Sequence, residues 1–334
     1  MKVLLYNIRP EGQDYVDEWM KSHPEDELVT TPDDLTLETV DMAKDRDYDA
    51  VSLQQVPDVA DEEIYQRLVD YGVHHIALRT VGFDILNLDY VRKYHILVTH
   101  TPAYSPRAVA ENTLASTMYL LRHYGQILGN ERKGDFIRVS EEMSDEIYHK
   151  TVGIIGVGRI GSAVAELFHA LGATVIGNDL ITNAANDAFL EYTDFDTVVR
   201  EADILTLHTP LEPYMVGMIG AEQFKMMKDT AFIVNQARGP LIDTQALIAA
   251  LKNREIAGAA IDVFAEETGL FMKRFDSESQ LPQFYRELSA MDNVIITPHS
   301  AFYTKTSVRN MVMHSMTDVK RVTEGKEPVY KVDC

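Results

Sequence analysis

A chain of 334 residues, 46% of them apolar, suffices for about two globular domains and is too polar for a membrane protein. Its formal charge of −21 excludes attraction to nucleic acid or to an anionic bilayer, so neither is an expected partner. The one cysteine, Cys334, forbids an intrachain disulfide and fits a reducing, cytoplasmic setting.

From the N-terminus, short apolar runs alternate with helix-period segments almost to the end. That pattern predicts an α/β protein with parallel sheets. The opening apolar stretch is too short and too soon interrupted for a signal peptide and reads as a strand over residues 2–8. Further strands are predicted over 27–30, 50–53, 75–79 and 96–99, with helices over 15–22, 35–43 and 62–70. No apolar run reaches transmembrane length. Ser105 and Pro106 read as N-cap and first residue of a long helix. Its apolar face runs through Ala110, Leu114, Thr117, Met118 and Leu121, and its length suits a domain connector or a subunit contact. Residues 131–148 are polar and irregular and read as an excursion from the surface.

The most informative stretch begins at Thr151. An apolar run meets Gly156, Gly158 and Gly161, a helix-period segment follows, and a second apolar run ends at Asp179. In this strand–turn–helix–strand order the first glycine permits the turn, the second lets a pyrophosphate approach the backbone, and the third lets the helix pack on the sheet. The free N–H groups of the helix N-terminus then face the phosphates. Asp179, 18 residues beyond Gly161, is placed to accept from the ribose hydroxyls. The helix carries Ile160, Val164, Leu167, Phe168 and Leu171 on one face, and Gly172 sits at its C-terminal cap. A carboxylate at 179, with no Arg or Lys in Leu180, Ile181, Thr182 or Asn183, favours NAD over NADP.

Later strands are predicted over 204–207, 231–235, 259–263 and 294–296. A final helix over 307–323 carries Val308, Met311, Val312, Val319 and Val322 on one face. The segment 104–299 suffices for a Rossmann domain; 1–103 and 300–334 are then left to form a second, substrate-binding domain.

Three ionisable residues follow strands of the later segment: Arg238, Glu267 and His299. Ligands of an open parallel sheet lie outside the carboxyl ends of its strands, so the three converge there. Reduction of a 2-oxo acid needs a hydride at the carbonyl carbon and a proton at its oxygen. A guanidinium binds a carboxylate with two parallel hydrogen bonds and polarises a carbonyl, which suits Arg238. Imidazole donates a proton near neutral pH, which suits His299. A neighbouring carboxylate favours the protonated ring and fixes its tautomer, which suits Glu267, with Glu266 as an adjacent competitor. Charge-assisted hydrogen bonds of about 1.5–3 kcal/mol each hold a small carboxylate despite the acidic surface. No metal ligands are assigned.

Along nearly its whole length the chain resembles the D-isomer-specific 2-hydroxyacid dehydrogenases. The resemblance rests on Leu78-Arg79-Thr80-Val81-Gly82-Phe83-Asp84, Pro102-Ala103-Tyr104-Ser105-Pro106, the glycine turn 156–161, Ala237-Arg238-Gly239-Pro240-Leu241-Ile242-Asp243, Asp262-Val263 and Thr297-Pro298-His299. The run after Glu267 and residues 297–304 are most similar to the D-lactate dehydrogenases of lactic acid bacteria. The resemblance implies two α/β domains, a Rossmann NAD-binding domain inserted in a flavodoxin-like substrate domain, usually as a homodimer. It implies Arg238, Glu267 and His299 as the catalytic set. It also implies substrate carboxylate binding by the N–H groups of Val81 and Gly82, with help from Tyr104, and a side-chain pocket lined by Phe302. For NAD it implies Gly156, Gly158, Arg159, Ile160, Gly161, Asp179, the loop His208-Thr209-Pro210, Ala237, Arg238, Asp262 and His299. Arg159 stands where the family usually has His or Asn, Gln236 is unusual before Ala237, and Phe83, Ile85 and Leu86 are larger than expected near the carboxylate loop.

The expected reaction is reversible reduction of pyruvate to D-lactate. The alternative is the same chemistry on a branched 2-oxo acid, as in D-2-hydroxyisocaproate dehydrogenases. A non-enzymatic NADH sensor like the C-terminal-binding-protein corepressors is the reading from another class; nothing in the chain resembles a nuclear targeting run or a disordered tail.

Overall fold

The computed structural model describes residues 1–333; Cys334, and with it the cysteine reading, lies outside the described residues. The chain forms two compact units, residues 1–105 with 303–334 and residues 106–302.

The first unit runs β1 (Lys2–Leu5), α1 (Pro10–Ser22), β2 (Glu27–Thr30), β3 (Ala50–Leu53), α2 (Glu62–Asp70), β4 (His75–Leu78), α3 (Leu88–Lys93) and β5 (Leu97–Thr99). The strands pair in parallel in the order β2-β1-β3-β4-β5, the flavodoxin-like doubly wound arrangement. Alternate side chains of one strand go to opposite faces. Leu4 and Tyr6 join one apolar cluster with Leu53, Tyr65 and Leu68, while Val3 and Leu5 join another with Val16, Trp19, Met316 and Val319. The last four come from α1 and from the C-terminal helix (Lys305–Thr323), which thus completes this unit.

Residues 35–43 do not form the predicted helix; only one 3₁₀ turn, Val40–Ala43, is present. The threonines compete for the backbone: Thr36 N–H donates to Thr39 Oγ1, Glu38 N–H to Thr36 Oγ1, and Thr39 Oγ1 to the Asp34 carbonyl. The amide of Leu35 is taken by Gln55.

The second unit begins with α4 (Pro106–Leu121) and α5 (Tyr124–Arg132). The long helix predicted from Pro106 is α4, which ends at Leu121, the last residue of its predicted apolar face. His123 turns left-handed at φ 50° between the two helices, and Gly125 lies where a Cβ would stand 2.0 Å from the Asp292 carbonyl oxygen. There follow β6 (Thr151–Ile155), α6 (Arg159–Ala170), β7 (Thr174–Asn178), β8 (Glu191–Tyr192), α7 (Phe195–Glu201), β9 (Ile204–Leu207), α8 (Ala221–Met226), β10 (Phe232–Asn235), α9 (Thr244–Lys252), β11 (Gly258–Ile261), α10 (Gln283–Ser289) and β12 (Val294–Ile296). The parallel order β12-β11-β10-β9-β6-β7-β8 contains the Rossmann order, and the strand sequence reverses between β6 and β9. Strands β6, β9, β10 and β11 are almost wholly buried. Such continuous apolar runs are what a sheet covered on both faces requires. Leu171, expected on the buried face of α6, is exposed because it lies beyond the last helical residue.

Among the described residues no helix is long and apolar enough to cross a membrane.

Candidate active site

In the second unit the chemistry gathers at the carboxyl ends of the strands. The turn after β6 is held open by glycine. Gly156 has φ +90°, and a Cβ there would lie 2.6 Å from the backbone of His208 and Thr209. A Cβ on Gly161 would lie 2.0 Å from the Gly156 carbonyl oxygen. Gly158 is different: a Cβ there would meet nothing within 4 Å. Packing within the chain does not require that glycine, whereas a pyrophosphate lying on the turn does. Gly158 caps α6 without a side-chain hydrogen bond, so the first N–H groups, from Arg159 and Ile160 onward, have no side-chain acceptor at the cap. Asp179 follows β7 and accepts from the N–H of Val157 at 2.6 Å and of Ile181 at 3.0 Å. Its carboxylate is thereby fixed against the glycine turn. These residues fit a dinucleotide.

His208, Thr209 and Pro210 follow β9. The His208 ring meets Thr206 Oγ1 at 2.8 Å, its Nδ1 is buried without a partner, and burial pushes it down to about 3, so the ring is neutral.

Arg238 sits in the turn after β10, which Asn235 shapes from inside the sheet. Asn235 accepts from the Ala237 N–H at 3.1 Å and donates to the Arg238 carbonyl at 2.9 Å. Gly239 packs so tightly on the next strand's loop that a Cβ would lie 1.9 Å from the Phe264 carbonyl carbon. Gln236, unexplained in the sequence, is a bridge to α4: it donates to Asn112 at 2.6 Å and accepts from Thr113 at 2.9 Å.

Glu267 and His299 form a pair, Oε1 to Nδ1 at 3.1 Å, with the second Glu267 oxygen accepting from the Phe264 N–H at 3.3 Å. Glu267, rather than its neighbour Glu266, is thus the carboxylate that meets the ring. His299 is left-handed at φ 50°, a costly conformation for a non-glycine residue, and Asp262 holds it there. The Asp262 carbonyl accepts from the His299 N–H at 2.8 Å. Its carboxylate, 1% exposed, accepts from Thr297 Oγ1 at 2.5 Å, the Ser300 N–H at 2.9 Å and the Ala301 N–H at 3.0 Å. The Phe302 ring meets His299 edge-on at 6.2 Å. With Nδ1 committed to Glu267, Nε2 is the atom left to exchange a proton.

In the first unit, Val81 and Gly82 lie in the loop after β4. Their carbonyls are engaged: Gly82 accepts from Thr80 Oγ1 at 2.6 Å, and the Val81 carbonyl meets His100 Nδ1 at 2.8 Å. Tyr104 is buried, and its carbonyl accepts from Asn310 at 2.7 Å. Phe83 packs edge-on against His100 at 5.7 Å.

The structure thus brings Arg238, Asp262, Glu267, His299 and Phe302 to one sheet edge with the glycine turn, and sets Val81, Gly82 and Tyr104 at strand ends of the other unit. Asn235 escaped the sequence reading, although a polar residue closing an otherwise apolar strand was a signal for it; Thr297 entered that reading only as part of the Thr297-Pro298-His299 motif, without a role.

Residues 114–301 match the family model of the D-isomer specific 2-hydroxyacid dehydrogenase NAD binding domain. The D-lactate dehydrogenase of Lactiplantibacillus plantarum is 39% identical over 97% of both chains. The crystal structure of the NAD-complexed D-isomer specific 2-hydroxyacid dehydrogenase of Lactobacillus delbrueckii ssp. bulgaricus matches with TM-score 0.88 and 48% identity over 100% of both chains. That of D-2-hydroxyisocaproate dehydrogenase matches with TM-score 0.89 and 31% identity over 99% of both.

Proposed function

The chain belongs to the D-isomer specific 2-hydroxyacid dehydrogenase family, and from that premise we propose that it is an NAD-dependent D-lactate dehydrogenase that reversibly reduces pyruvate. It is an oxidoreductase, which leaves the sensor reading without support. The observation that carries the catalytic assignment is the Glu267–His299 pair at 3.1 Å on a loop braced by buried Asp262. NADH, when bound, supplies the hydride. The N–H groups of the Gly156–Gly161 turn and of Arg159 and Ile160 would hold its pyrophosphate, and Asp179 its ribose hydroxyls, with His208, Thr209, Pro210, Ala237 and Asp262 along the remainder.

In this reading His299 Nε2 gives its proton to the carbonyl oxygen as the carbonyl carbon is reduced, and takes it back in lactate oxidation. Glu267 keeps the ring oriented and fixes its tautomer through the contact with Nδ1. Arg238 pairs with the carboxylate and polarises the carbonyl. On the first unit, the Val81 and Gly82 amides, with Tyr104, are the groups this reading assigns to the substrate carboxylate, and on the second Phe302 bounds the space for the substrate's side chain. Pyruvate is favoured over branched acids because an aromatic ring at 302 fills that space; the likeness to D-2-hydroxyisocaproate dehydrogenase keeps the branched acid as the second reading. We further infer a homodimer. Phe136, Ile137 and Met143, between α5 and β6, are each more than 70% exposed, and a second copy would cover them. A reducing cytoplasm suits the single cysteine.

The test is NADH oxidation by purified protein with pyruvate and with 2-oxoisocaproate. A much higher kcat/KM on pyruvate supports the assignment; preference for the branched acid moves it to the second reading, and inactivity on both refutes it.

A further inference from the structure

Among the described residues Arg79 is the largest fully buried side chain, at 0% exposure. Its guanidinium donates to Ser52 Oγ at 2.9 Å and to the carbonyls of Tyr6 at 2.5 Å and Asn7 at 3.3 Å, and Nε has no partner. Every one of these acceptors is neutral. Burial pushes the group down to about 9, which still leaves it cationic at neutral pH, and no neighbouring charge offsets that effect. Buried charges are normally paired, because an uncompensated ion in a protein interior is among the most costly features a fold can contain. Tying the ends of β1, β3 and β4 together requires only donors, which a neutral amide supplies. The positive charge is what remains to be explained.

The next three residues bear on it. The carbonyls of Val81 and Gly82 are turned into internal hydrogen bonds, while among the described residues their N–H groups meet no acceptor. The loop therefore presents donors, at the root of which stands a cation without a counterion. We propose that Arg79 is a positioning residue of the substrate site: its charge sets the anion preference of the 80–82 loop, and the substrate carboxylate is its counterion. This rests on the functional reading above, in which that loop receives the carboxylate. It adds to the guanidinium of Arg238 a second source of positive field, at that loop, in a protein of charge −21.

The experiment compares Arg79→Gln and Arg79→Lys with the parent protein. It measures pyruvate kinetics, the affinity of the enzyme–NADH complex for oxamate (an unreactive carboxylate of pyruvate's shape), and NADH affinity. The neutral variant is expected to raise pyruvate KM and oxamate Kd about 10–100-fold, with kcat within about threefold and NADH affinity unchanged. The lysine variant, which keeps the charge and loses the fork, is expected within about fivefold of the parent. Unchanged KM in Arg79→Gln, or parallel losses of kcat and NADH binding, would overturn the proposal. Should that variant not fold, Arg79→Lys decides: a KM rise above about tenfold with intact NADH affinity makes the fork and not the charge responsible. A parent protein that reduces pyruvate and binds oxamate upholds the functional reading whatever the variants do; one that does neither sinks both.

Discussion

Replacing Asp262 with alanine tests whether the placement of His299 depends on a single buried carboxylate. The substitution removes three hydrogen bonds, from Thr297 Oγ1, Ser300 N–H and Ala301 N–H. Two backbone donors then remain in a site where the parent carboxylate is 1% exposed. Each unsatisfied buried donor costs about 1–3 kcal/mol, and hydrogen bonds to a charged acceptor lie at the upper end of that scale. The sum is not additive, and roughly 3–5 kcal/mol is expected, read as a lower urea midpoint at constant slope. The kinetic effect follows from geometry. His299 sits at φ 50°, a conformation that costs about 1–3 kcal/mol and persists only while its surroundings impose it. Freed of the Ser300 and Ala301 anchors, the ring relaxes away from the reacting oxygen, and a displacement near 1 Å lowers turnover about 10²-fold. Asp262→Asn keeps the shape but sets an N–H₂ group against one of the backbone donors, so an intermediate loss of about 1–3 kcal/mol is expected. Steady-state assays with pyruvate, alongside urea unfolding, read both quantities. Turnover of Asp262→Ala within threefold of the parent would refute the claim that this carboxylate positions the proton donor.

His299→Ala should lower turnover about 10²–10⁴-fold, and a loss below tenfold removes it from the proton-donor role. Arg238→Lys should chiefly weaken pyruvate use, since a point charge does not reproduce the planar fork; unchanged pyruvate kinetics would exclude the assignment. The glycine turn gives a paired test by urea unfolding and NADH fluorescence. Gly156→Ala, at φ +90° with its Cβ 2.6 Å from the His208 and Thr209 backbone, should lose stability and NADH binding together. Gly158→Ala should leave apo stability within about 0.5 kcal/mol while weakening NADH binding, and equal NADH affinity in it and the parent would contradict the pyrophosphate site. His75 is pushed by burial from 6.5 down to about 4, so it enters the fold neutral. Its contribution is complete above pH 6.5 and is lost as pH falls toward 4, about 3 kcal/mol in all, and His75→Gln should flatten that part of the stability–pH curve.

Much of this protein is legible without coordinates. Strands over 27–30, 50–53, 204–207 and 294–296 coincide with the observed elements, because a sheet buried on both faces demands an apolar run that no loop shares. The dinucleotide turn is equally legible, since its glycines answer to backbone geometry and close approach, constraints local to a few residues. Where local hydrogen bonding competes with periodicity, the sequence misleads: the Thr36–Thr39 cluster turns an apparent helix into a single 3₁₀ turn. The break at His123 was invisible for a different reason, because it depends on the close approach of Gly125 to Asp292, 167 residues away. Arg238, Glu267 and His299 can be nominated from the sequence, because hydride and proton transfer call for a guanidinium, a carboxylate and an imidazole. That Glu267 and not Glu266 meets the ring, that Asp262 acts by holding a loop, that Gln236 is bonded to α4 and that Arg79 is buried without an acid are tertiary facts. Sequence fixes which groups are available and in which local conformation; only the packing of distant strand ends decides which of them meet, and which charge is left without a partner.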